Sequence, residues 1–140
     1  MESQLINVNG NLSAHLHDPD GITPRNVFER GDRPGVHATI RLNGAGTNLM
    51  ANGHFHVTCA WERIGSGTGL AESQTTGTSP ITMNGSNAAV SDIYVNLPSN
   101  LPVGVYKLAV YAQVHVSTPG PDFRGIAGFV DVGMFEVYDT

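Results

Sequence analysis

The sequence predicts an all-β protein, a single-domain antiparallel β-sandwich of about seven strands spanning residues 1–140. Apolar and polar residues alternate with period two along several segments, the clearest placing Tyr106, Leu108, Val110, Ala112, Val114 and Val116 on one side. The 17 glycines and 8 prolines cut these segments into short runs, and Asn-Gly, which tolerates positive φ, recurs at 9–10, 43–44, 52–53 and 84–85. Helical periodicity is nowhere sustained, and 140 residues suffice for a single well-buried core.

In chain order, strands are expected over Asn11–His17, Gly35–Leu42 and His54–Arg63. The third carries Phe55, Val57, Cys59 and Trp61 on its inner face and His54, His56, Thr58 and Ala60 on its outer face. Between the second and third strands, the loop Asn43–Gly53 holds two apolar residues, Leu49 and Met50, expected to tuck beneath it, the alternative being an apolar tip for a partner. The segment Gly65–Asn87 is rich in Gly, Ser, Thr and Asn and is expected to be a long, mobile loop with at most a short edge strand. Weaker strand signals follow at Pro80–Met83 and Ala88–Leu97, and two long strands at Val105–Ser117 and Ile126–Tyr138 complete the set.

The run Leu101-Pro102-Val103-Gly104-Val105-Tyr106 turns a corner with proline and glycine and delivers a tyrosine to the start of a buried strand. Here the chain resembles the immunoglobulin-like and fibronectin type III-like sandwiches, whose tyrosine corner pins the approach loop through the phenol. The resemblance implies that Tyr106 makes that bond and that Trp61 occupies the core tryptophan position. It also implies where an inter-sheet disulfide would lie, but this chain has Leu108 at one position and Ala38 or Ile40 at the other. A purely hydrophobic pin of Ile40, Trp61 and Leu108 is expected instead. Cys59, the one cysteine, excludes an intrachain disulfide, and its inward parity beside Trp61 marks an inert core thiol.

Charge narrows the range of partners. The net charge is -5, with one lysine (Lys107) and six scattered arginines, so there is no basic stripe to neutralise phosphates and nucleic acid is not an expected partner. No run of eighteen apolar residues predicts a membrane span, and the start of the chain lacks a basic region followed by an apolar run. Read as an intact chain without a signal peptide, it is expected in the cytoplasm. The acceptor patterns Asn11-Leu12-Ser13 and Asn84-Gly85-Ser86 are then expected to stay unmodified.

The chemical concentration in this sequence is its 6 histidines. Histidines two apart on a strand share a face, so His15/His17 and His54/His56 each form a two-ligand pair for zinc or copper. The resemblance makes the strands carrying Trp61 and Leu108 antiparallel neighbours. If those two residues are opposite, His54 faces His115 and His56 faces Gln113 on the outer face, with opposed Cβ atoms about 5 Å apart. His54, His56 and His115 are therefore the candidate metal site, for Zn or Cu. The His15/His17 pair is expected on the opposing sheet, away from them.

Other signals are weaker. Asp18-Pro19-Asp20-Gly21 lacks the later ligands of a calcium loop and reads as a surface turn, and Gly65–Gly69 lacks a phosphate-loop ending. There is no Gly-x-Ser-x-Gly elbow and no His-Glu-x-x-His, so no catalytic residue is assigned. The leading functional expectation is a non-catalytic module that binds or assembles with a protein or other macromolecule, including a second copy, through an exposed sheet face or its loops. One alternative is a metal-binding sandwich built on the outer histidines, with an enzyme among its readings. Another is a carbohydrate-binding module, although the one tryptophan is predicted inside.

Overall fold

Strand alternation is realised almost wherever the sequence shows it. The computed structural model describes residues 8–19, 24–65, 73–116 and 123–139. Among these, eight strands follow in order: β1 Asn9–His17, β2 Val27–Glu29, β3 Gly35–Asn43, β4 His54–Arg63, β5 Ser73–Pro80, β6 Ala88–Asn96, β7 Gly104–Val116 and β8 Phe123–Tyr138. A short 3-10 helix, Ala45–Met50, fills the β3–β4 connection. The protein is all-β with two sheets, one ordered β1-β3-β6 and the other β2-β8-β7-β4-β5. No helix among the described residues is long and apolar enough to cross a membrane.

Three elements depart from expectation. Ser73–Pro80, expected to be mostly loop, is an eight-residue edge strand paired with β4. It has no apolar alternation to announce it, because its inward positions are Thr75, Gly77 and Ser79, opposite Cys59, Val57 and Phe55. Pro80–Met83 is not a strand: Pro80 closes β5, and Met83 makes only an isolated bridge to Ala89. The three-residue β2, too short for periodicity to reveal, pairs in parallel with β8, so the sheets are not wholly antiparallel.

The inner faces of both sheets meet in one buried cluster that contains Ile40, Trp61 and Leu108 together with Cys59. Trp61 lies opposite Leu108 in the β4–β7 ladder, the predicted register. At the corner before β7, the Tyr106 hydroxyl donates to the Pro102 carbonyl at 2.5 Å, and the Tyr106 ring stacks on Phe135 at 5.0 Å. Two register shifts in the β7–β8 ladder, between Leu108 and Ala109 and between Ala112 and Gln113, mark bulges that bend β8. The bend carries β8 against β1 at Gly128, where an added Cβ would sit 2.5 Å from the Leu12 Cβ and 3.0 Å from its backbone nitrogen. Glycine is therefore required for this approach, which forms a seam between the sheets without a hydrogen-bonded ladder.

Candidate functional site

Two outer sheet faces carry the chemistry. On the five-stranded sheet, β4 and β7 pair His54 with His115 and His56 with Gln113, as the sequence predicts. The His56 and His115 rings approach to 5.4 Å and, with Gln113 and Val114, line a niche of about 190 Å³. His54 is exposed at the end of β4. Among the described residues, no group of three or more His, Cys, Asp or Glu side chains is disposed to hold a metal ion.

Further along the same face, the ladder sets Tyr111 opposite Phe129, whose side chain is 65% exposed. The adjacent positions Ala60 and Ala109 are opposite one another and too small to fill the surface. They floor a shallow depression of about 220 Å³, with Phe129, Glu62, Lys107 and Asp131 among its walls. The sequence did not reveal Phe129, because the bulge after Asp131 inverts the parity of β8. Phe129 and Asp131 face out before it, and Met134 and Glu136 after it. Trp61 is buried and offers no stacking surface for a sugar.

The three-stranded sheet holds the other histidines, as expected, and adds one that strand parity alone did not connect. His15 of β1 and His37 of β3 are directly opposed, and His37 is opposite Tyr94 of β6. The His37 Nε2–H donates to Asp92 Oδ1 at 2.9 Å, and the Thr39 hydroxyl donates to the same oxygen at 2.8 Å. These bonds, the Thr39 bond first and then that from His37, hold the Asp92 carboxyl below its ordinary range. His17 is buried despite its outward parity, because its ring occupies the space over Gly35 that a side chain would otherwise fill. The constant-sum pairing used for His54 and His115 would have joined His15 to His37 had the first two strands been aligned.

The remaining assignments divide. Cys59 is fully buried, and burial pushes its thiol up to about 12, consistent with an inert core residue. Met50 tucks in as expected, but Leu49 points out and is 64% exposed. Asn11 and Asn84 are exposed. Asp20 and Gly21 of the Asp18–Gly21 turn, and Ser66–Gly69 of the glycine-rich run, lie outside the described residues.

No family model matches the chain, and no curated protein matches it. Among solved structures, it is similar to a Northeast Structural Genomics Consortium target at 12% identity, covering 92% of this chain and 86% of that one with a TM-score of 0.41. It is also similar to a Bordetella pertussis protein bearing the provisional name ApaA at 9% identity, covering 94% of each chain with a TM-score of 0.33. A family 123 glycoside hydrolase from Clostridium perfringens matches at 12% identity over 93% of this chain and 28% of its own, with a TM-score of 0.29. At this level of similarity, none of the three carries a site residue across to this chain.

Proposed function

We propose that this protein is a non-catalytic assembly module, immunoglobulin-like in architecture, that binds a second copy of itself through the outer face of its five-stranded sheet. The observation that carries the reading is Phe129, 65% exposed beside Tyr111, at the edge of the depression floored by Ala60 and Ala109. An exposed phenylalanine next to a half-buried tyrosine and a small-residue hollow matches the anchor-and-pocket anatomy of protein interfaces. Charge favours self-association, since Lys107 shares this face with Glu62 and Asp131, and a two-fold axis can set each lysine against the partner's carboxylates. The immunoglobulin-like reading is supported by the tyrosine corner and by the order β1-β3-β6 facing β8-β7-β4-β5.

Sedimentation equilibrium over a wide concentration range tests this. Wild type should dimerise, while Phe129→Ser and the charge reversal Lys107→Glu should each shift the equilibrium to monomer. Mixing Lys107→Glu with a Glu62→Lys/Asp131→Lys variant should restore association. A wild type that stays monomeric at about 100 μM, where even a weak interface with a Kd tenfold lower would be populated, rejects the proposal.

The 5.4 Å approach of His56 and His115 favours a second reading, in which these two residues bind zinc or copper and exposed His54 turns toward them. Calorimetric titration with zinc should then show uptake by wild type and none by His115→Ala. Heats equal to the buffer blank would dismiss it.

A further inference from the structure

The Asn-Gly dipeptides at 9–10, 43–44, 52–53 and 84–85 meet different surroundings in the fold, and the difference decides their chemistry. An asparagine followed by glycine can close on itself, because no side chain on the second residue obstructs the approach of its amide nitrogen to the asparagine side-chain carbonyl. That nitrogen reacts only after losing its proton, so one that donates to a carbonyl must first give up the bond. Ring closure also needs a backbone turned away from the extended strand conformation. Asn9 and Gly10 lie in β1, in extended register with Asn43 and Leu42 of β3. Asn43 ends β3, and the Gly44 amide donates to the Asn87 carbonyl at 3.0 Å. Gly53, after Asn52, is held from both sides: its amide donates to the Met50 carbonyl at 2.9 Å, and its carbonyl accepts from the Ile81 amide at 3.0 Å. It is also buried, and an added Cβ would come within 2.8 Å of the His115 carbonyl oxygen.

Asn84 and Gly85 stand apart from these three pairs. Asn84, Gly85, Ser86 and Asn87 form an exposed bend between β5 and β6. Among the described residues, no group accepts from the Gly85 amide, and beyond its chain neighbours nothing lies within 4 Å of the place a Cβ would take. Gly85 has φ 98°, so the backbone is already turned there. The bend is tied by few bonds: the Asn84 amide donates to the Ala88 carbonyl at 2.8 Å, the Val90 amide donates to the Thr82 carbonyl at 3.3 Å, and Met83 makes an isolated bridge to Ala89.

We propose that Asn84 is a site of spontaneous, enzyme-free conversion to isoaspartate, a modification that the fold admits here and withholds at Asn9, Asn43 and Asn52. The Gly85 nitrogen gives up its proton and bonds to the Asn84 Cγ; the Cγ–Nδ2 bond breaks, and ammonia leaves with that proton. Water then opens the resulting succinimide at either carbonyl. Cleavage at Cγ gives aspartate, and cleavage at the Asn84 main-chain carbonyl gives isoaspartate, with the chain now running through the side chain. Either product places a carboxylate in the bend, but only isoaspartate lengthens the main chain by one carbon. That carbon spoils the spacing of the bonds between Thr82 and Val90, and β5 and β6 belong to different sheets, so one covalent link between the sheets loosens while the core stays as it is.

Incubation of the full chain in mildly alkaline buffer, with and without denaturing urea, tests the assignment when followed by peptide mapping with fragmentation that separates isoaspartate from aspartate. In the native protein Asn84 should convert at least about tenfold faster than Asn9, Asn43 and Asn52, whose reaction waits on local opening. In urea the rates at all these asparagines should converge. An Asn84 that converts no faster than the others in the native protein, or a ranking that persists unchanged in urea, overturns the proposal. Hydrogen exchange on the aged protein reads the consequence: the Val90 amide should lose protection in the isoaspartate form and keep it in Asn84→Asp, which carries the charge without the extra carbon. Equal protection in those two forms overturns the loosening of the bend.

Discussion

Replacing Tyr106 with phenylalanine removes one oxygen from the corner before β7 and leaves its packing intact. The hydroxyl donates to the Pro102 carbonyl, and the ring, 3% exposed, stacks on Phe135 with planes 10° apart. Phenylalanine preserves that stack, so the loss reduces to the hydrogen bond. Pro102 is exposed, so water can replace the phenol at its carbonyl, and the cost falls in the net range of about 0.5–1.5 kcal/mol rather than that of an orphaned buried acceptor. Equilibrium urea denaturation should show a lower midpoint with an unchanged slope. The alkaline limb gives a second readout. Burial raises the Tyr106 phenol above its ordinary 10.0, so its contribution is complete below that pH and is lost as pH rises through the folded value. The gap between wild type and Tyr106→Phe should therefore narrow above about pH 10. A variant with the wild-type midpoint at neutral pH would refute the corner assignment.

Leu108→Ala opens a cavity opposite Trp61 and should cost about 2–5 kcal/mol in the same assay, whereas a loss under about 1 kcal/mol would place Leu108 outside the core. Native Cys59, buried with its thiol near 12, should react with a disulfide reagent only at the rate of unfolding, and rapid labelling without denaturant would contradict this. Gly128→Ala forces a methyl against the Leu12 backbone and should destabilise by about 1–3 kcal/mol, while a neutral result would mean that the seam between β1 and β8 is looser than the structure shows.

Features encoded by side-chain alternation were legible from the sequence, and those that depend on backbone irregularity or pairing were not. Phe55 to Trp61 and Tyr106 to Val116 gave the buried faces and excluded a β4–β7 slip of one residue, which would have exposed every apolar side chain in the pair, whereas the register itself came from setting Trp61 opposite Leu108 by resemblance. β5 was hidden because an edge strand whose inward residues are Thr75, Gly77 and Ser79 has the composition of a loop. The outward turn of Phe129 depends on a bulge, which shifts register without leaving a mark in the hydropathy pattern. The meeting of His15 with His37 needed the pairing of β1 with β3, and the burial of His17 needed the empty Cβ position of Gly35 beneath its ring.

The three-residue β2 gives the molecule a mechanical character that its length does not suggest. Val27, Phe28 and Glu29 run parallel to Glu136, Val137 and Tyr138, so strands near the two ends of the chain lie side by side and point the same way. Tension applied between the start of β2 and the end of β8 slides one strand along the other and loads their bonds together, including Glu136 N–H to Asn26 O at 2.9 Å and Arg30 N–H to Tyr138 O at 2.7 Å. An antiparallel hairpin pulled from its open end would instead give way one pair at a time. Phe28, fully buried against Phe135, must leave the core for the slide to begin, so the resistance to stretching is concentrated in a clamp of a few residues. Because β1 precedes β2 in the chain, a load arriving from the N-terminal side passes first through β1 and its ladder with β3, and the β2–β8 clamp is the second point of resistance along the line of force.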